Sequence, residues 1–255
     1  NINEAEWNTQ PTVGCGPYTF AEWESGSYTR FVVNENYWGD KPKIDEIFFR
    51  FVPDDASQVA ALQAGDGDLG TFIAYSDVPT VQEAGITVAT VKSGYNEGWF
   101  FVINDDKGQP VIADKANAPI RDKNVRLAIA MSVDRASIAN DLLLGLTSVP
   151  ASYWDALPFY NTPPLANYPY DPEGAKALLE ESGWVDSNGD GVREKNGQDL
   201  VVTYGTTIRE IRQDNQAVTQ QMLRDVGIEL QILSYDADLF FGSWADGSPC
   251  ALGEI

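Results

Sequence analysis

The sequence contains no histidine and only two cysteines, Cys15 and Cys250. Without histidine it lacks the side chain most used for proton transfer near neutral pH and the commonest transition-metal ligand. Ser-His and Cys-His nucleophile pairs are therefore excluded within these residues. Two cysteines so far apart cannot form a CxxC metal or redox site. They are either two buried thiols or one long-range disulfide, and a disulfide needs an oxidising compartment. No run approaches the roughly 18 consecutive apolar residues of a membrane span. A basic, then apolar, then small-residue opening is also missing, so the chain reads as a processed form or an excised segment. Positive charge is scarce: 17 Lys and Arg face 38 Asp and Glu, for a net charge of -21. Such a field repels phosphate backbones and anionic lipid, which sets nucleic acid and membrane surfaces aside as partners. Its simplest reading is the acidic, soluble surface of an exported or salt-adapted protein. No nucleophile elbow, phosphate-cradling glycine loop or metal-ligand cluster occurs, and no cofactor is implied.

What is present is a globular pattern in two parts. Hydrophobic residues make up 43% of the chain, enough for one large core or two modest ones. Pro17–Trp23 and Tyr28–Val33 are aromatic and β-branched strands joined by a Glu24-Ser25-Gly26-Ser27 turn. Ile44–Val52 places Ile47, Phe49 and Phe51 on one face at period two. Asp54 or Asp55 then caps a short helix carrying Val59, Ala60 and Leu62, which Gly65 ends. Ile86–Val91 and Trp99–Ile103 are further strand candidates, and Asp105–Ala118 is a polar stretch suited to a loop between lobes.

Beyond it, helices and strands alternate. Asp122 caps a helix bearing Val125, Ala128, Ile129 and Ser132. Asp134 caps another, with Ile138, Leu142 and Leu143 inward and Gly145 as its stop. Asp171-Pro172-Glu173 opens a third helix, carrying Ala175, Leu178 and Leu179 and ending at Gly183. Strand Leu200–Tyr204, helix Ile211–Val226 and strand Ile228–Leu233 predict a parallel βαβ unit. The fold class is α/β, with a strand-rich lobe followed by a helix-and-strand lobe.

Three stretches carry a more specific pattern. Gly14, Gly16, Pro17 and Tyr18 form a G-x-G-P-Y turn into a strand. Asn34, Tyr37 and Trp38 follow, then Pro42, Ile44 and Asp45, then Leu62, Gln63, Gly65 and Asp68. The second stretch ends a strand at Asn104 and continues with Pro119, Asp122, Val125, Arg126, Ala128, Asp134 and Arg135. The third is Tyr170-Asp171-Pro172 with Ala175, Leu178, Leu179 and Gly183. In this order they resemble the solute-binding proteins of the oligopeptide, dipeptide and nickel type, family 5, which serve ABC importers. The resemblance implies a two-lobed α/β fold of the periplasmic-binding-protein kind (type II, cluster C). Residues 1–102 would be part of lobe I and residues 103–255 most of lobe II, with the hinge near Trp99–Asn104. Members of the family are longer, so the rest of both lobes would lie outside this sequence. Cys15 stands where the family usually has a small residue such as threonine. Together with Cys250, that departure favours the disulfide alternative.

Most signature residues read as structural. Tyr37 and Trp38 make a packed corner, and Arg126 is an ion-paired helix residue. The resemblance points instead to two segments for ligand contact. One is Tyr75-Ser76-Asp77, in a loop like the cleft-lining loop of peptide-binding relatives; the other is Tyr95-Asn96-Glu97-Gly98-Trp99, before the hinge. Aromatic rings there would cover apolar parts of a solute, while Asp77 or Glu97 would pair with an amine or bond a hydroxyl. Asp186, Asn188 and Asp190, with Gly191 next in the chain, have the alternating oxygens that open a calcium loop. The twelfth position is Gly197 and not a bidentate Glu, so a plain turn is the simpler reading. The implied function is the extracytoplasmic solute-binding component of an ABC importer, monomeric, without catalysis. It would hand a peptide, oligosaccharide or chelate to membrane permease subunits. The rivals are a sensor module that kept the binding fold and a carboxylate-based hydrolase.

Overall fold

The computed structural model describes residues 11, 14–91, 97–101, 119–152 and 168–242. The chain divides into two compact units, Asn1–Val88 and Ala89–Ile255.

In the first unit, β1 (Tyr18–Glu24), β2 (Tyr28–Val33) and β3 (Glu46–Arg50) form an antiparallel sheet in that order. Gly26 turns the β1–β2 hairpin at φ 75, a left-handed angle that glycine adopts without steric cost. One face carries an aromatic row: Phe20 meets Phe31 edge-on at 6.1 Å, and Phe31 meets Phe49 at 5.6 Å. On the other face Arg30 lies between Glu22 at 3.4 Å and Glu46 at 3.3 Å. A register shift between Phe20 and Glu22 lets β1 serve both faces.

The signature residues are tied to one another. Asn34 donates through Nδ2 to the Gly16 carbonyl at 2.9 Å and through its amide to that of Pro17 at 2.8 Å. Tyr18 donates its hydroxyl to the Ile44 carbonyl at 2.9 Å. Their role is thus to lock the strand ends together. Trp38 corrects one expectation. It stacks on Tyr37 at 5.2 Å but is 84% exposed, so no packed corner forms around it among the described residues.

Helix α1 (Asp55–Ala64) begins at Asp54, whose carboxylate accepts from the Ser57 amide at 2.8 Å, and ends at Gly65 with φ 75. A 3-10 turn at Tyr75–Asp77 leads into α2 (Val78–Glu83), with Val78 and Val81 buried. The strand expected at Ile86–Val91 is not formed. Gly85 takes φ 80, and the Ile86 amide bonds the Val81 carbonyl at 3.1 Å, closing α2 instead of joining a ladder. Residues 87–91 pair with no strand edge among the described residues. Residues 99–101, the described part of the strand expected at Trp99–Ile103, likewise make no ladder among the described residues.

The second unit is built around a parallel βαβ unit, as the hydrophobic periods predict. Strands β6 (Val201–Thr207) and β7 (Glu229–Tyr235) pair in parallel from Val201↔Glu229 to Thr207↔Tyr235, connected by α5 (Glu210–Arg224). Before them come α3 (Lys123–Ser132), α4 (Pro172–Glu181) and a small hairpin of β4 (Glu194–Lys195) and β5 (Gln198–Asp199). Asp122 and Asp171 cap α3 and α4 by accepting from Asn124 and Gly174, and Gly183 follows α4 at φ 85. The core gathers Val125, Ala128, Ile129, Ala175, Leu179, Leu200, Leu223 and Ile228, each at most 2% exposed.

The helix expected after Asp134 is interrupted. A single helical turn, Arg135–Ser137, passes into a π turn at Ile138–Leu142, where Leu143 bonds back to Ile138. The wider turn buries Ala139 and leaves Leu142 and Leu143 half-buried. Arg126 donates to the carbonyls of Ile120 and Arg121, where an ion pair was expected.

Two buried polar side chains hold this unit together. Gln216 of α5, fully buried, donates Nε2 to the Tyr204 carbonyl at 2.8 Å and the Leu233 carbonyl at 3.0 Å, and accepts from Ser234. Arg193, 8% exposed, bonds the Val226 and Trp184 carbonyls at 2.9 Å and the Glu180 carboxylate at 3.1 Å.

Candidate functional site

The carboxyl ends of β6 and β7 concentrate the chemistry of the second unit. A parallel βαβ unit leaves its strand ends and the helix amino end at one edge, the usual place for ligands in open α/β sheets. Thr207, the last residue of β6, accepts a hydrogen bond on Oγ1 from Arg212 Nη1 at 2.8 Å. Arg212 sits in the first turn of α5, and its Nη2 donates to Glu97 Oε1, also at 2.8 Å. The side chain of Glu97 is 80% exposed, that of Arg212 25%. Two residues beyond Glu97, Trp99 packs on Tyr204 of β6 with ring centroids 5.4 Å apart and tilted by 56°. Burial pushes the Tyr204 hydroxyl above its usual pKa; the Glu97 charge adds to the rise, while a hydrogen bond from Trp99 and the Arg212 charge oppose it.

Around this centre the edge is apolar. Ile208, 56% exposed, leaves β6 with its amide on the Tyr235 carbonyl. From the end of β7, Tyr235 meets Phe240 at 6.1 Å with tilted rings, and Phe240 meets Phe241 edge-on at 4.8 Å. Arg209, at the N-cap position of α5, makes no side-chain cap hydrogen bond. The edge thus offers a positioned guanidinium, half-buried rings, the exposed Phe241 and a helix amino end, a combination suited to an anionic group on an apolar body.

Of the residues expected to touch ligand, Glu97 and Trp99 are therefore brought together here. Trp99 meets Tyr204 and Glu97 meets Arg212, which is tied in turn to Thr207; the sequence reading singled out none of these three partners. The signal was the junction itself: a β strand whose end runs directly into a helix bearing arginine in its first turn. Tyr75, Ser76 and Asp77 lie in the first unit, on the 3-10 turn before α2, with Tyr75 and Asp77 half-buried and Ser76 exposed. Tyr95 and Asn96 lie outside the described residues, as does Cys250; Cys15 is exposed.

At the Asp186–Asp190 turn the carboxylates face the backbone. Asp186 accepts from the amides of Gly189 and Gly191, and Asp190 from that of Val192. Asn188 accepts from the Asp190 amide. These are self-bonded Asx turns. Among the described residues no cluster of three or more His, Cys, Asp or Glu is placed to hold a metal. Nor is any helix among them long and apolar enough to cross a membrane.

Residues 1–249 match the model of the bacterial extracellular solute-binding proteins, family 5 middle region. The chain belongs to this family. It is 30% identical over 252 residues to the oligopeptide-binding protein AppA of Bacillus subtilis, covering 93% of this chain and 42% of that protein. Against the nickel-binding periplasmic protein of Escherichia coli K12, identity is 29% over 248 residues, covering 92% of this chain and 44% of that one. Among solved structures, NikA from Brucella suis in complex with Fe(III)-EDTA superposes with a TM-score of 0.71 at 27% identity, covering 92% of this chain and 46% of that one. NikZ from Campylobacter jejuni in complex with Ni(L-His) gives 0.73 at 25% identity, covering 93% and 45%. The chain therefore spans less than half the length of these relatives. Their names state what they bind, and the fold they share with this family 5 chain is the α/β solute-binding fold.

Proposed function

We propose that the full-length protein is the extracytoplasmic solute-binding component of an ABC importer. In this reading residues 1–102 form part of lobe I and residues 103–255 most of lobe II. A solute is captured between the lobes and presented to membrane permease subunits. The mechanism is closure without chemistry: contacts made with both lobes only in the closed form shift the population toward it. Trp99 serves as a ring platform, and Tyr75-Ser76-Asp77 and Tyr95-Asn96 are further contacts.

The observation that carries this reading is the carboxyl edge of β6, where Arg212 is fixed beside the Trp99–Tyr204 rings. A guanidinium among rings favours a solute with a carboxylate on an apolar or aromatic body, such as a peptide, over a neutral oligosaccharide. The test is thermal-shift titration of the full-length protein with a tetra-alanine peptide, its carboxyl-terminal amide, cellotetraose and a nickel–histidine chelate. Concentration-dependent stabilisation by the free-acid peptide, weaker for the amide and reduced severalfold in Trp99→Ala, is the expected result. Equal response to acid and amide removes Arg212 from recognition, and stabilisation by cellotetraose alone rejects the peptide reading.

A further inference from the structure

Arg212 is held on two sides by partners that differ in kind. Thr207 ends β6 and is 3% exposed. Glu97, 115 residues away in sequence, is exposed and belongs to a stretch that makes no ladder among the described residues. The guanidinium is thus anchored from the strand and only covered by the carboxylate. Its place is electrostatically adverse for a cation, because the amino end of α5 carries partial positive charge and its N-cap residue, Arg209, makes no side-chain cap hydrogen bond. Glu210 in the same turn offsets part of that charge, and Glu97 supplies the carboxylate bonded to the guanidinium itself.

We propose that Glu97 is a replaceable internal counter-ion, whose carboxylate is displaced from Arg212 Nη2 by the anionic group of a bound solute. The proposal rests on the reading of the β6 edge as a ligand surface. Exchanging one carboxylate for another conserves both the hydrogen bond and the charge, so the exchange itself contributes little. Small anions that offer nothing more are therefore rejected. A solute gains only through contacts beyond its carboxylate, and the rings of Trp99 and Tyr204 lie beside the exchange point. Glu97 thereby sets selectivity: it lowers affinity for every anion and leaves those with an apolar body able to compete.

The test is NMR titration of the full-length protein, labelled at arginine side-chain nitrogens, with sodium phenylpropionate. The Arg212 resonance is identified by its loss in Arg212→Lys. Glu97→Gln should bind the probe about two- to fivefold more tightly than wild type, the worth of a partly exposed ion pair. Glu210→Gln, which neutralises another acid in the same helical turn, should change affinity far less. Equal affinity in wild type and Glu97→Gln, or an equal gain from Glu210→Gln, overturns the counter-ion role and leaves the edge standing as a ligand surface. Weaker binding by Glu97→Gln overturns it as well, making Glu97 a support for Arg212. An Arg212 resonance that fails to respond in every protein overturns both readings of this edge.

Discussion

Gly227→Ala tests whether Arg193 fastens the turn between α5 and β7. Gly227 has φ 87, and a Cβ built there meets Arg193 Cγ at 2.7 Å and both Cδ and Nε at 3.0 Å. The left-handed angle alone costs an alanine about 1–2 kcal/mol. The clash adds a second cost, because the Arg193 stem cannot swing away freely. Its head is bonded to the Val226 and Trp184 carbonyls and to Glu180, and its amide to the Gly227 carbonyl. Moving it strands at least one buried partner, worth about 1–3 kcal/mol. The expected total is about 2–5 kcal/mol. Gly197→Ala is the control: φ is 77, but nothing lies within 4 Å of its Cβ, so only the backbone cost of about 1–2 kcal/mol applies. Equilibrium urea unfolding of both variants measures the difference. If the two lose equal stability within about 0.5 kcal/mol, Arg193 is not a fixed strut and the reasoning fails.

Buried and capping polar groups give two further expected outcomes. Gln216→Leu removes the donor to the Tyr204 and Leu233 carbonyls and should cost about 2–4 kcal/mol in urea unfolding; a neutral result would mean those carbonyls find other partners. Asp134 accepts from the amides of Ser137 and Ala136 and from the Ser137 hydroxyl, bonds that hold its carboxyl below the usual range. A depressed folded-state pKa stabilises the fold above the unfolded value, about 3.9, and that contribution is lost as pH falls through the folded value. Asp134→Asn should therefore lower Tm near neutral pH and flatten the fall in Tm below about pH 4; parallel curves for the two proteins would exclude a role for this cap.

Much of the fold was legible because its signals are local. Asp122, Asp134 and Asp171 were expected as helix caps, as was Asp54 or Asp55; Asp54, Asp122, Asp134 and Asp171 each accept from an amide two or three residues on. The stripe Val125, Ala128, Ile129 and Ser132 is buried as its period requires. The parallel strands appear where the apolar runs stand, extended to Thr207 and Tyr235 because the ladder continues through residues with little hydrophobicity of their own. What was not legible depends on partners. Whether Ile86–Val91 pairs is decided by an available edge, not by its β-branched residues. The exposure of Trp38 and the π turn at Ile138–Leu142 are tertiary outcomes of the same kind. Gln216 and Arg193 look like surface residues in sequence, and only the carbonyls they reach explain their burial.

The candidate site shows the same division more sharply. Glu97 and Trp99 were singled out from one short segment, but their meaning depends on Arg212 and Tyr204, more than a hundred residues later in the chain, and no spacing rule connects them. The link is topological. A parallel βαβ unit must put the end of β6 beside the start of α5, so Thr207 and Arg212 meet wherever the helix is correctly seated. That seating is set four residues further along α5, where Gln216 grips the carbonyls of Tyr204 on β6 and Leu233 on β7. One helix therefore carries a buried amide that fixes its height on the sheet and an arginine whose reach depends on that height. Changes at Arg212 should alter binding at a smaller cost in stability, since its Glu97 partner is exposed and the buried Thr207 hydroxyl loses one donor. Changes at Gln216 should alter both, because the guanidinium and the Tyr204 ring lose their common support.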